Sequence, residues 1–461
     1  MTAKLENGLF IFRRDLRIVD NNGLNFLSTL CNNIYTIFIF TPEQVGSGNK
    51  YKSDNSVQFM IESLEDLSLQ IKRQGGHLYT FYGNNNKVIE DCIKSFDINI
   101  VAFNLDITPY ARERDDKIVK LCQKMKVFVT YDHDYFLHNP GSIKTGTGGP
   151  YQKFTPYYES ALKIKVQHPE GLRRLPFKSK DTRIQNKMPL NQALERFSSP
   201  NKNILVRGGR TNAIKQMRVA AINIKHYSST RDDPNKPTSH LSAYIKFGCV
   251  SIREVYSRFK SNKSFIRQLY WRDFYANIVY EFPHSIGNNL NTKYNKIRWS
   301  NNERWFNAWT KGTTGIPIVD ASQRQLVSTG WTHNRCRMIS SSILVKILLI
   351  DWRKGEKFYA QHLVDYDVAS NNGGWQFSSG SGADSQPYFR YFNPYLQSKE
   401  HDPDCEYIKK WIPEIKDIPP NDIHNWETSC EKYKDTKYPK PIVNYAEQKE
   451  RSINMYKDAL Y

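Results

Sequence analysis

Cysteine is sparse and unpatterned in this chain: seven residues, an odd number, with no C-x-x-C pair and no regular spacing. That excludes a disulfide framework and a multi-cysteine zinc site, and points to a reducing compartment inside the cell rather than secretion. A membrane span needs roughly 20 apolar residues, and nothing approaches it. The longest run, Ile343 to Ile350, is broken by Lys346 and is expected to be a core helix. Met1 to Asn7 is polar and leads straight into a strand-like run, so no leader peptide is expected. The standard phosphate signatures are missing too. Gly141 to Thr147 resembles a P-loop but lacks the Lys after its second Gly, and no G-x-G-x-x-G opens a helix after a strand. Asp132, His133 and Asp134 cluster as metal ligands do, yet strand-end loops commonly carry such residues, and no metal is expected.

Positive charge is abundant. Sixty-six Lys and Arg against 46 Asp and Glu leave a formal net charge of +20, which suits a polyanionic partner. Twenty-eight Tyr, 24 Phe and nine Trp serve base stacking or a cofactor pocket as readily as packing. The 461 residues suit two domains. In the first, residues 1–139, short β-branched and aromatic runs (Gly8 to Phe12, Ile34 to Phe40, His77 to Tyr82, Ile98 to Phe103, Val127 to Tyr131) alternate with helical patterns such as Val57 to Arg73 and Pro109 to Lys124. This alternation predicts a doubly wound α/β domain with a parallel sheet. Residues 140–207, polar and basic with scattered Pro, read as a linker along the surface. From residue 208 to 461 helical segments follow one another, predicting an all-α second domain without internal repeats.

The densest chemistry lies between Tyr227 and Arg390. Thr238-Ser239-His240-Leu241-Ser242 places hydroxyls before an apolar helical run, where they can hold phosphate oxygens. Trp331 to Met338 puts polar and cationic groups on a helix. Asp365 to Phe377 crowds amides, carboxylates and aromatics into what reads as an irregular stretch. Together with Phe12-Arg13-Arg14-Asp15-Leu16-Arg17, Asp20-Asn21 and Trp271-Arg272-Asp273-Phe274-Tyr275, these segments resemble the photolyase/cryptochrome family, most of all its class I cyclobutane pyrimidine dimer (CPD) photolyases, along nearly the whole chain.

The resemblance implies an α/β antenna domain and a helical domain holding FAD, acting on UV-damaged DNA as a monomer. Carried over by position, Tyr227, Thr238, Ser239, His240, Leu241, Ser242 and Phe265 would hold the FAD chain. Arg337, Asp365, Tyr366 and Asp367 would sit beside its ring system, with Asn371 facing the redox-active ring nitrogen. Trp299, Trp352 and Trp375 match the family's electron relay. Arg231, Arg335, Arg390 and Lys399 match or lie near the DNA-binding rim, and Gln268, Trp271, Asn334, Met338 and Phe377 match positions at the dimer slot.

Two departures from the family pattern carry information. Gln268 stands where class I CPD photolyases usually have Glu, as in (6-4) photolyases, and Phe377 replaces a second Trp. The (6-4) enzymes also need a His pair at the positions of Asn334 and Met338, and this chain has neither, so CPD repair is the expected activity over (6-4) repair or a photoreceptor role. The folate-type antenna site uses an Asn-Glu pair that falls near Tyr110 and Ala111, which cannot replace those contacts. A deazaflavin, a flavin or no antenna at all is expected rather than folate.

Overall fold

Short, doubly apolar runs with their backbone groups unpaired must find strand partners. In the computed structural model, which describes residues 4–385 and 387–461, they do. Strands β1 (Leu5–Phe12), β2 (Cys31–Phe40), β3 (Leu78–Tyr82), β4 (Ile100–Asn104) and β5 (Phe128–Asp132) form one parallel sheet in the order β3-β2-β1-β4-β5. The two-residue period of a strand sets its faces. Leu9, Ile11, Ile37, Val101 and Phe103 join one core with Ile89, Ile93 and Ile118 of the flanking helices. Phe10, Phe12, Ile34, Phe38 and Phe40 join another with Leu64 and Leu67 of α1 (Asp54–Arg73), and that core runs on into Leu269, Phe274 and Ile278 of the helical part. The sheet and the helices are therefore packed on shared apolar ground.

Beyond β5 no further strand occurs among the described residues. The helices that matter below are α2 (Phe154–Ala161), α3 (Leu190–Phe197), α4 (Ser242–Lys246), α5 (Lys263–Glu281), α6 (Asn334–Lys346), α7 (Trp352–His362), α8 (Val368–Ser379) and α9 (Pro394–His401). No helix among the described residues is long and apolar enough to cross a membrane, and all seven cysteines are free and buried.

Two sequence expectations need correction. The stretch read as a surface linker contains α2 and α3, and buries Leu175, Phe177, Met188 and Phe197. It also lies along β2 and β3: the Ile34 and Lys178 amides donate to the Pro176 and Ile34 carbonyls, at 2.8 and 2.9 Å, and the Met188 amide to Thr80, at 2.8 Å. Apart from the short buried faces of α2 and α3, its apolar residues plug the core singly, so little periodicity marks the stretch between those helices. The run Ile343 to Ile350 is helical only to Lys346. The remainder stays buried but turns, with Leu349 at φ 52°, so that Asp351 can cap α7 through the Arg353 amide.

The loop once readable as a metal cluster is used for ion pairing. Asp134 receives Arg17 at 2.5 Å and Arg253 at 2.8 Å, while Arg253 also reaches Asp20 at 3.0 Å, all four side chains being buried. Burial alone would raise the Asp134 carboxyl, but the two guanidinium groups hold it below its usual range. Among the described residues no group of His, Cys, Asp and Glu is arranged to hold a metal. Because Asp134→Ala leaves two buried guanidiniums without their shared counter-charge, it is expected to cost about 3–5 kcal/mol of stability in urea unfolding. A loss below about 1 kcal/mol would mean that water compensates the cluster.

Candidate functional site

Helical spacing brings the chemistry-bearing residues to one place. On α5, Phe265, Gln268, Arg272 and Tyr275 recur at three- and four-residue steps, and on α8 Asn371, Gly374, Trp375 and Ser378 do the same, so each set forms a stripe. The two stripes face a cavity of about 950 Å³, closed on other sides by the start of α6 and by the loop leading into α4. That is near the top of the roughly 300–1,000 Å³ typical of small-molecule sites.

Each wall is fixed by a cap. Asn262 accepts from the Phe265 amide at the start of α5, and His333 accepts from the Arg335 amide at the start of α6. Asp367 accepts from the Ser370 amide at the start of α8. The segment Asp365 to Phe377, expected to be irregular, is thus largely regular helix. Its Gly373-Gly374 pair is tolerated for a packing reason: a Cβ on Gly373 would lie 2.2 Å from the Tyr275 ring, so only glycine lets α8 meet α5 this closely. Burial pushes the His333 ring down to about 4, keeping it neutral and able to accept from the helix end.

The electrostatics centre on two carboxyls, Glu356 buried and Asp367 half-buried. Burial would raise Asp367, but Arg14, Arg272 and Lys246 override it and hold the group well below the usual carboxylate range, with Arg14 at 2.8 Å. Lys246, half-buried and beside Arg14, is itself lowered to about 8, by desolvation first and by Arg14 second. Glu356 on α7 is raised to about 7 by burial, although Asn371, Tyr51 and Tyr366 all hydrogen-bond with it. The Asn371 Nδ2 donates to both the carboxylate (2.9 Å) and the carbonyl (3.1 Å) of Glu356. With its nitrogen committed, the Asn371 amide keeps its oxygen for the cavity. Arg337 pairs with Asp365 at 3.0 and 3.2 Å and donates to the Thr332 carbonyl at 2.9 Å.

Most, though not all, of the residues singled out in the sequence meet here. Tyr227, Thr238, Ser239, Leu241, Ser242, Phe265, Arg337, Asp365, Asp367 and Asn371 line the cavity, as do Arg231, Gln268, Trp271, Asn334, Arg335, Met338, Phe377 and Trp375. His240 and Tyr366 are not among its walls. His240, at φ 48°, packs its ring edge-on to Trp331 at 4.8 Å, and Tyr366 turns to Glu356 and Tyr51. Arg390 lies at a smaller concavity next door, and Lys399 is exposed on α9. Trp299 and Trp352 lie behind the wall. Trp375 packs on Gly355, one turn along α7 from Trp352, whose indole donates to Asn289 at 2.9 Å; Trp299 meets Tyr456 edge-on at 6.2 Å. Sequence reasoning missed Glu356, Lys246 and the tight role of Gly373, because nothing local ties Glu356 to Asn371 on another helix.

The fold and cavity define a two-part protein, a parallel-sheet domain backed onto a helical body with a large, mostly apolar pocket rimmed by charged and hydroxyl side chains. Residues 9–176 match the family model for DNA photolyase and residues 265–458 that for the FAD binding domain of DNA photolyase. A deoxyribodipyrimidine photo-lyase of Halobacterium salinarum is 33% identical over 98% of this chain and 99% of its own length, and that of Escherichia coli 31% over 97% and 98%. Among solved structures, the archaeal photolyase from Sulfolobus tokodaii with two FAD molecules superposes at a TM-score of 0.88, with 37% identity, over 98% of this chain and all of that one. A class III photolyase from Agrobacterium tumefaciens gives 0.91 at 29% identity, covering all of this chain and 98% of that one. The chain belongs to the DNA photolyase family, and its cofactor is FAD.

The residues present fit that cofactor. A Cβ at Gly374 would meet nothing within 4 Å, so bare helix backbone faces the cavity where a flat ring can lie. Hydroxyl-bearing residues Thr238, Ser239 and Ser242 line the same cavity.

Glu356 offers a test of this wall that is independent of catalysis. Its folded value near 7 lies above the roughly 4.3 of an unfolded Glu, so the folded chain holds the extra proton between those values. Its contribution is therefore most favourable in acid and is lost as pH rises through about 7. Urea unfolding between about pH 5 and 8 should show Glu356→Gln gaining on the wild type by on the order of 1–3 kcal/mol as pH rises. Parallel pH profiles for the two proteins would show that Glu356 is not buried against Asn371.

Proposed function

We propose that this chain splits cyclobutane pyrimidine dimers in DNA by light-driven electron transfer from reduced FAD, with residues 1–139 as the antenna domain and 208–461 as the catalytic body. One observation supports it above others: the residues matched to the flavin (Arg337, Asp365, Asn371) and those matched to the dimer (Gln268, Trp271, Met338, Phe377) line a single cavity. Bound FAD supplies the electron on illumination.

The protein's own residues take the remaining tasks. A dimer must leave the base stack to enter, so phosphate-binding cations are needed at the mouth and apolar surface within. Arg231 and Arg335 serve the mouth; both lie beside Asp232, at 3.6 and 2.8 Å, which holds them in place until phosphates compete. Trp271 is stiffened from behind by Phe154, stacked at 3.7 Å and 6°, so it presents a fixed platform. Gln268 spends one amide hydrogen on a long 3.3 Å bond to the Ser264 carbonyl and can give the other to a dimer carbonyl. Asn334 contacts the Met338 sulfur at 3.5 Å, and neither side chain can hold and deliver a proton, which favours CPD over (6-4) chemistry. Trp375, Trp352 and Trp299 would carry electrons to the cofactor. The photoreceptor reading has less support: a cryptochrome of Synechocystis superposes at a TM-score of 0.89 but only 24% identity, a likeness of fold alone.

Photoreduced protein under near-UV or blue light, given oligonucleotides bearing either a thymine CPD or a (6-4) product, should restore the CPD strand only. Restoration of the (6-4) product alone would reverse the lesion assignment, and activity on neither would favour the photoreceptor. Trp352→Phe should block photoreduction yet leave repair by chemically reduced protein nearly intact; an unchanged photoreduction rate would route the electron elsewhere. Gln268→Glu should make CPD repair fall as pH rises through the pKa of the new carboxyl, since only its protonated form donates to the dimer. A flat profile would remove position 268 from the lesion contact.

A further inference from the structure

A second concavity, of about 340 Å³, adjoins the main cavity and shares its Phe377 and Ser378 wall. Its other sides come from Ser342 and Lys346 on α6 and from residues 390–392, just before α9. Lys346 is 2% exposed. Its ammonium donates to the Arg390 carbonyl at 2.7 Å and lies 5.5 Å over the Tyr391 ring, which fixes the segment that carries Arg390. Tyr391 is committed elsewhere, its hydroxyl donating to Ser452 at 3.0 Å. Phe377 and Phe392 are not committed. Both are half-buried, and neither packs into any of the hydrophobic clusters of the described residues. Two rings left half in water beside a ligand cavity cost free energy until something apolar and flat covers them.

We propose that this concavity seats the nucleobase that adjoins the dimer in the same strand, an inference that rests on the dimer-repair reading above. When a dimer leaves the stack, its neighbour loses a stacking partner on that side, and an aromatic wall can replace it for any base because every base has a π-face. Phe377 faces both cavities, so a strand whose dimer fills the first must pass its next nucleotide along the second. Arg390 supplies positive charge beside the linking phosphate, and the Ser342 hydroxyl offers a hydrogen bond without selecting a sequence. The chain's net charge of +20 favours a polyanion over a neutral metabolite as the occupant.

The test pairs a protein change with a DNA change. Single-stranded oligonucleotides carrying one thymine CPD, with an intact or an abasic nucleotide on its 5′ or 3′ side, are titrated against flavin-loaded wild type and Phe392→Ala, and binding is read by fluorescence anisotropy. An abasic neighbour on one side should weaken wild type at least about fivefold, and in Phe392→Ala the same abasic site should change affinity less than about twofold. The abasic series on wild type stands even if the variant folds poorly. No penalty on either side in wild type, or an equal penalty in both proteins, would overturn the proposal while a retained preference for CPD over undamaged DNA leaves the repair reading intact. Equal binding of CPD and undamaged strands would instead bring down the repair reading and this inference with it.

Discussion

A half-buried carboxylate, that of Asp367, ties the sheet domain to the helix that carries one wall of the cavity. It caps α8 through the Ser370 amide and receives Arg14, which leaves the end of β1 and also reaches Asp106 beyond β4, at 3.4 Å. Desolvating this anion is costly, and three cations, Arg14, Arg272 and Lys246, surround it to offset that cost. The orientation of Asn371, Gly374 and Trp375 toward the cavity thus depends on a contact between residues more than three hundred positions apart in sequence, 353 from Arg14 to Asp367. Removing either partner would strand the other charge and free the first turn of α8.

Close helix approach does the second part of the positioning. Gly373 admits the Tyr275 ring and Gly355 admits the Trp375 ring, in each case where a Cβ would stand 2.2 Å from the aromatic edge. These contacts clamp α8 between α5 and α7, so the stripes on α5 and α8 keep a fixed separation, and Trp375 packs on Gly355, a helical turn along α7 from Trp352. Gly374, between them in sequence, is glycine for the opposite reason: it leaves space rather than filling a tight one. A chain of aromatic contacts and a flat opening arise from neighbouring glycines whose roles differ only through what faces them.

Charge is distributed in the same spirit. Inside, cations are matched by carboxylates at the interface of sheet and helices, as in the Arg17, Arg253, Asp20 and Asp134 cluster. At the cavity mouth, Arg231 and Arg335 share the one nearby Asp232, so the pair retains a positive surplus that a phosphate can satisfy. Excess positive charge at a surface destabilises the unliganded chain through self-repulsion and is relieved by a polyanion, which makes the binding salt-sensitive by its nature.

The sequence alone determined the elements and their alternation. Strand runs with a two-residue period and helices with three- and four-residue stripes are local quantities, legible without a partner. The residue types of the site were legible as well, since Asn371, Arg337, Asp365 and the Trp271 segment stand in recognisable order. What escaped was everything that depends on a second element. The residues from 163 to 203 looked like a linker because Leu175, Phe177 and Met188 enter the core one at a time. Asp365 to Phe377 looked irregular because the reason for its glycines lies on α5. Glu356 gave no sign of facing Asn371, nor His240 of turning its ring away to Trp331. Tertiary structure decided these because burial, ion pairing and ring contact are set by distances in space, and a period along one chain segment carries no information about what will be packed against it.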